Sequence, residues 1–191
     1  MTTGPREDWP QRVFRERLVQ PDRVSCGATC LVVARMIEGH AYGERIGAAA
    51  SIPDEFRAEV LAMHRRVTGL VDHGRLQLPW PRALGTPPWA VARELGEWEP
   101  DGRRVRWIRI APAAGYDAVV AATRARRPVP VYVGNAWIPR HVVLALGEER
   151  GRLRCYEPAR GRLVDLGRED FRRSRLGVAG WDHAWSAVLP R

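Results

Sequence analysis

Apolar residues recur at helical spacing through the first half of the chain. From Cys26 to Gly39 the sequence is apolar on nearly every side, which predicts a buried helix that ends at the glycine. A second helix is predicted over residues 51–67, where a proline and acids stand at the start and arginines at the end. Residues 87–98 predict a short amphipathic helix, and the Gly/Ala-rich residues 41–50 predict a link without regular structure.

The second half of the chain is different, because short β-branched runs alternate with Gly and Pro. These runs predict strands, a helix is predicted over residues 116–127, and a helical turn is predicted at REDF. The predicted strands are RVRWIRI (104–110), VPVYVG (129–134), HVVLALG (141–147), RLRCYE (152–157), GRLVDLG (161–167) and WSAVLP (185–190). A helical half followed by an antiparallel half predicts an α+β fold. We expect one domain over residues 20–191, preceded by an arm or short helix over residues 1–19.

The charge of the chain excludes less than its size suggests. The net charge is +9, and all 31 basic residues are Arg, scattered in short clusters and not striped along one element. This distribution predicts a solvated surface, a modest bias toward acidic partners and no nucleic-acid partner. The sequence has no run of about 18 apolar residues and no signal-peptide pattern at its start, so it predicts no membrane segment and a cytoplasmic protein. Export by a route without a cleaved signal stays open, and so does the oligomeric state.

The three cysteines do not form a disulfide scaffold or a recognisable metal motif. A secreted scaffold has an even and denser set, and no Cys-x-x-Cys or His pair accompanies them. Cys30, one helical turn after Cys26, is predicted to pack inside the helix, and Cys155 is predicted in a strand. We therefore expect no metal and no organic cofactor.

Cys26 is the candidate nucleophile. The loop QPDRVS precedes it, and Ser25 is placed as the N-cap, so the thiol lies in the first helical turn. Free backbone N–H groups and the positive end of the helix dipole favour a thiolate there. Gln20, six residues earlier, can direct its side-chain amide at the carbonyl oxygen that the thiolate attacks. The Cys26 N–H is the second expected donor of this oxyanion hole.

A thiol nucleophile needs a base and a group that orients the base. Of the five histidines, His141 opens the strand HVVLALG and so can face a helix N-terminus. Glu157, sixteen residues later, precedes a proline and is the candidate orienting carboxylate. Asn135 and Asp182 stay open as substitutes. The remaining histidines are expected at the surface or in packing: His40, His64, His73 and His183.

Taken in order, these motifs resemble the papain-like cysteine peptidases. Gln20-x5-Cys26-Gly-Ala-x-Cys is most similar to the bacterial branch that removes leader peptides from bacteriocin precursors after a double glycine. In that family the base is a His followed by β-branched residues and a Gly, as in RHVVLALG at His141. The orienting residue is an Asp before a Pro, where this chain has Glu157 in CYEPARG. The resemblance implies a papain-like fold, with the nucleophile helix packed on an antiparallel sheet.

The resemblance also implies the function: a cysteine peptidase that acts on a polypeptide. Cys26 attacks an amide, His141 acts as base and acid, Glu157 orients it, and Gln20 binds the oxyanion. Three alternatives remain. The same groups can hydrolyse a side-chain amide, as in a deamidase or a transglutaminase-like effector. The change from Asp to Glu also leaves room for a peptide-binding protein without activity. The third alternative, a nucleic-acid-binding protein, rests only on the net charge.

Overall fold

The fold is that of a computed structural model, which describes residue 14 and residues 16–98, 105–109 and 112–190. Most of the predicted N-terminal arm, residues 1–19, lies outside these ranges. Among the described residues, none of the helices combines the length and the apolar composition that a membrane crossing needs.

The first half is helical, as predicted, and its helices surround one central helix. The central helix, α1, has ten buried residues out of thirteen and packs against α3, α4 and the sheet. The bounds are α1 Cys26–Glu38, α2 His40–Gly47, α3 Ile52–Thr68 and α4 Pro88–Glu97, with a 3₁₀ turn at Arg82–Leu84.

Helix α2 corrects the sequence analysis, which predicted a link over residues 41–50. The helix forms because its side chains are anchored on neighbouring helices. Ile46 is fully buried, and Arg45 forms ion pairs with Glu55 and Glu59 of α3. Packing of this kind outweighs the low helix propensity of the two glycines within the helix.

A six-stranded antiparallel sheet forms the second half, and it confirms the predicted α+β class. The strands lie in the order β3-β8-β4-β5-β6-β7. The bounds are β3 Val105–Arg109, β4 Val129–Gly134, β5 Pro139–Glu149, β6 Arg152–Glu157, β7 Arg162–Gly167 and β8 His183–Pro190. Helices α5 Pro112–Arg124 and α6 Arg168–Arg172 complete this half. Cys155 lies in β6, as predicted.

The sheet separates two apolar cores, because alternate side chains of each strand point to opposite faces. One face contacts the helical half and includes Tyr132, Val142 and Leu144. The other face is covered by α5 and α6 and includes Val143 and Ala145. The period-two pattern therefore places α1 against β5, the strand that begins beside His141.

A segment that the sequence analysis did not resolve lies between α3 and α4. It forms the short hairpin β1 Val71–Asp72 and β2 Arg75–Leu76, and then the 3₁₀ turn. The two strands are two residues long, which is too short for a periodic pattern to reveal. This segment leads to Gly85 and Thr86, which pack on the start of α1.

Candidate active site

Cys26 is the first residue of α1, as predicted, and its side chain is nearly buried. Ser25 is the N-cap residue, but its side chain makes no capping hydrogen bond, which corrects the role expected for its hydroxyl. The side chain of Asp22 supplies the hydrogen bonds at this point of the loop instead. Its Oδ1 accepts hydrogen bonds from the N–H groups of Val24, at 2.9 Å, and Ser25, at 2.8 Å. Asp22 therefore holds the loop that leads into Cys26 in one conformation.

The first turn of α1 offers backbone donors around the thiol. The helical ladder begins with the N–H of Thr29, which donates to the Ser25 carbonyl at 2.8 Å. The N–H groups of Cys26, Gly27 and Ala28 precede that bond and have no intrahelical acceptor. They stabilise negative charge at this end of the helix, whether on the sulfur or on an oxyanion.

His141 and Glu157 form a buried pair. The His141 Nε2 lies 2.9 Å from Glu157 Oε1, and both side chains are almost fully shielded from solvent. Glu157 also accepts hydrogen bonds from the N–H groups of Ala159, at 2.6 Å, and Arg160, at 3.1 Å. Three donors thus hold the carboxylate in place. Because Nε2 is hydrogen-bonded to Glu157, Nδ1 is the ring nitrogen that can interact with Cys26.

The protonation of His141 reflects these contacts. Burial alone would lower its pKa, but hydrogen bonds to Cys26 and Glu157 and the charges of both groups raise the pKa of His141 to about 9. Burial would likewise raise the pKa of Glu157, yet its bonds to His141 and to the backbone lower it. The arrangement therefore favours an imidazolium between a carboxylate and a sulfur.

We expect the Cys26→Ala change to lower the pKa of His141 from its value of about 9, because the hydrogen bond and the charge of Cys26 both raise it. Histidine-selective NMR titration of both proteins measures the shift. His40, which is exposed on α2, serves as the internal control and should not move. An unchanged His141 titration would contradict contact between the sulfur and the ring.

The same shift makes the free energy of unfolding depend on pH. The folded-state pKa of His141 lies above its ordinary value of 6.5. The stabilisation from its charged form is therefore fully present below about pH 6.5 and is lost as the pH rises through about 9. Urea unfolding of wild type and His141→Gln should show a difference in the free energy of unfolding that narrows as the pH rises from about 6.5 to about 9. A difference in the free energy of unfolding that grows over this pH range would contradict the raised pKa of His141.

Gln20 lies beside this group, although its side chain makes no described contact with Cys26. Its Nε2 donates to the Asp22 carbonyl at 2.5 Å, and its backbone N–H donates to the Pro158 carbonyl at 2.9 Å. A primary amide has two N–H donors, and the described contacts of Gln20 use one of them. The Gln20 backbone ties the nucleophile loop to the turn that carries Glu157.

The two residues that stayed open as substitutes for Glu157 make other contacts. The Asn135 Oδ1 accepts hydrogen bonds from the N–H groups of Trp137 and Ile138, both at 2.9 Å, and so shapes its own loop. The Asp182 Oδ1 accepts from the Gly177 N–H at 3.1 Å. Neither makes a described contact with His141. Of the remaining histidines, His40 is exposed, His73 belongs to an ion-pair cluster, and His183 begins β8. His64 is buried in α3 and lies near Asp22: burial lowers the pKa of His64, and the charge of Asp22 opposes that shift.

Thr86 is a neighbour of the nucleophile that sequence reasoning missed. A Cβ built on Gly27 would lie 2.8 Å from the Cβ of Thr86, so the Thr86 side chain packs directly on the Gly27 backbone and leaves room only for glycine. The Thr86 carbonyl accepts a hydrogen bond from the buried Tyr132 hydroxyl at 2.8 Å. No local pattern could have found this contact, because it joins segments about sixty residues apart. Thr86 forms a wall beside the first turn of α1.

We expect Gly27→Ala to lower the free energy of unfolding by about 1–3 kcal/mol, because the new methyl group would overlap Thr86. Gly96→Ala is the matched control, since a Cβ there meets no atom within 4 Å. Alanine at that helical position should stabilise by about 0.5–1 kcal/mol. Thermal unfolding measures both changes. Equal effects at the two positions would contradict the close approach.

One cluster of described residues has the composition of a metal site. Ligand atoms of Asp72, His73 and Glu94 lie within 4.8 Å of one another. The Arg66 guanidinium already fills the centre: its Nη1 lies 2.6 Å from Glu94 Oε2, 2.6 Å from His73 Nε2 and 3.1 Å from Asp72 Oδ1. Arg93 adds a second positive charge, 3.1 Å from Asp72. The cluster is therefore an ion-pair network that ties the β1–β2 hairpin to α3 and α4.

The chain was compared with protein-family models, curated proteins and solved structures. No protein-family model matches the sequence, and no curated protein matches it either. Among solved structures, the chain is similar to the peptidase domain of Streptococcus ComA, a bifunctional ABC transporter involved in a quorum-sensing pathway. The similarity covers 91% of this chain and 97% of that domain, with a TM-score of 0.47 and 16% sequence identity.

Proposed function

We propose that this chain is a cysteine peptidase that hydrolyses a peptide bond of a polypeptide substrate. The observation that carries the proposal is the buried pair of His141 and Glu157, which interacts with Cys26 at the first residue of α1. A nucleophile, a base and a residue that orients the base thus meet at a helix N-terminus.

The first half of the reaction is acyl transfer to sulfur. The Cys26 thiolate attacks the carbonyl carbon, and the carbonyl electrons move onto oxygen. The Cys26 N–H and the second N–H of Gln20 donate hydrogen bonds to that oxyanion. The C–N bond then breaks, and the His141 imidazolium gives its proton to the departing amine. The products of this half are a free amine and a thioester on Cys26.

The second half regenerates the enzyme. Neutral His141 removes a proton from water, which attacks the thioester carbonyl, and collapse of the oxyanion releases a carboxylic acid and the Cys26 thiolate. Glu157 keeps the ring in one orientation and favours the imidazolium in both halves. The additional methylene of Glu, relative to Asp, is accommodated because Ala159 and Arg160 hold its carboxylate in a turn.

The test is hydrolysis of a peptide library made by digesting a bacterial lysate, with mass spectrometry of the products. Wild type is expected to yield pairs of new peptides that together equal the parent plus one water. Cys26→Ala is the inactive control. Parent peptides that stay intact and gain about 1 Da would assign side-chain amide hydrolysis instead, because that reaction leaves the backbone unbroken. An unchanged library would reject hydrolysis and leave peptide binding.

A further inference from the structure

A cavity of about 400 Å³ lies beside the site, between residues 17–21 and the start of α3. Apolar side chains form part of its wall, including those of Pro21, Pro53 and Phe56. Two arginines, Arg17 and Arg57, complete that wall. The cavity therefore offers an apolar surface with positive charge at its edge.

The two guanidinium groups of this cavity are available to a ligand. Arg17 and Arg57 are exposed, and neither forms an ion pair with another described residue. Among the described residues of the wall, Asp54 is the one carboxylate, and its Oδ2 accepts a hydrogen bond from the Ser51 hydroxyl at 2.6 Å. The cavity thus has a positive excess, and planar guanidinium groups match carboxylate geometry.

The wall of the cavity is joined to the turn that carries Glu157. The Tyr156 hydroxyl donates to the Leu18 carbonyl, and a Cβ built on Gly161 would lie 2.6 Å from that same oxygen. Gln20, which also lines the cavity, donates its backbone N–H to Pro158. A ligand in the cavity would therefore lie against the loop that leads into Cys26.

We propose that this cavity is a substrate subsite that binds a carboxylate of the polypeptide. The inference rests on the proposed peptidase function and names the substrate class, a peptide with a carboxylate near the scissile bond. Arg17 precedes Cys26 by nine residues, which span at most about 30 Å, so the carboxylate lies within about nine residues of that bond. An Asp or Glu side chain and a free C-terminus both supply this group.

The test is binding of synthetic peptides to the Cys26→Ala protein, in which no peptide is consumed. The probes are a fluorescein-labelled decapeptide with three Glu residues and an amidated C-terminus, and its counterpart with three Gln residues. A third probe is the Gln peptide with a free C-terminus. Fluorescence anisotropy gives the affinities. We expect the Glu peptide or the free-acid peptide to bind more tightly than the amidated Gln peptide, and the difference identifies the source of the carboxylate.

The variant Arg17→Gln/Arg57→Gln tests the two arginines. We expect it to weaken binding of the preferred peptide about tenfold, as two solvated charge contacts would. The control is Arg65→Gln/Arg126→Gln, which removes the same charge from the surface. Arg65 lies further along α3, and Arg126, with φ 58°, has a left-handed backbone like that of Arg17, with φ 47°. The control should leave binding within about twofold.

Three results would overturn the subsite: equal affinities for the three peptides, an equal loss in both double variants, or no binding at millimolar concentration. These readouts need no hydrolysis, so they are separate from the peptidase proposal. If the library is cleaved without any preference for acidic residues or free C-termini, the subsite is wrong and the peptidase stands. If the peptides are discriminated but the library is never cleaved, the binding site stands and the peptidase is wrong.

Discussion

The His141→Ala variant is expected to lose hydrolysis of a cleaved library peptide by about 10⁴–10⁶-fold in kcat, as base removal does in other nucleophilic hydrolases. The reason is that His141 acts twice in the proposed cycle, as acid toward the leaving amine and as base toward water. The ring is also placed for both steps, because Glu157 takes its Nε2 and leaves Nδ1 for the sulfur. The measurement is product formation under saturating peptide, followed by mass spectrometry.

The matched control is His40→Ala, since His40 is exposed on α2 and pairs only with Glu44 among the described residues. It should keep activity within about twofold of wild type, because a surface pair of this kind contributes little. If His141→Ala retained a tenth or more of the wild-type rate, His141 would not be the base.

The second large effect is expected from Glu157→Gln, with a loss of about 10²–10⁴-fold in kcat. Glutamine has nearly the same shape, and its Oε1 can still accept from His141. It removes the negative charge that helps to raise the pKa of His141, and its amide would face the Arg160 N–H, which now donates to Oε2. We therefore expect kcat to fall, and we expect the alkaline limit of the pH–activity profile to move to lower pH.

Glu94→Gln is the matched control for loss of a buried charge. Glu94 and Glu157 are both completely buried, but Glu94 contacts Arg66 and His73, away from Cys26. Its neutralisation should lower stability by roughly 1–3 kcal/mol, because Arg66 loses one of its two carboxylate partners and keeps Asp72. The activity of the folded fraction should remain. Equal activity losses in the two variants would mean that Glu157 acts through stability alone.

Most of the fold could be predicted from the sequence, because the strands and long helices have clear hydrophobic periodicity. The β-branched run at 129–134 and the alternating run at 152–157 predicted β4 and β6 with the bounds seen in the structure. Helix α2 was missed because Gly43 and Gly47 hide a pattern that only packing on α3 completes. The β1–β2 hairpin was missed because strands of two residues have no period to read.

Some residues of the candidate site could likewise be predicted from the sequence, and others could not. Cys26, His141 and Glu157 could be proposed from the sequence, because each follows a local signal: a helix start, a strand start and a turn before proline. The contact of Thr86 with Gly27 and the hydrogen bond from the Gln20 N–H to the Pro158 carbonyl join distant segments, which local patterns do not encode. The contacts of His141 with Cys26 and Glu157, which raise the pKa of His141 against the effect of burial, are likewise a property of the assembled chain.

The central claim is that Cys26 and His141 form a thiolate–imidazolium pair. The most direct test is alkylation by iodoacetamide from pH 5 to pH 9, with the modified cysteine identified by mass spectrometry in wild type and His141→Ala. Burial raises the pKa of Cys30 and of Cys155, so both should react slowly throughout. The pair predicts that Cys26 reacts far faster than either at pH 6, and that His141→Ala removes this advantage. Slow alkylation of Cys26 at pH 6, or fast alkylation that survives loss of His141, would contradict it.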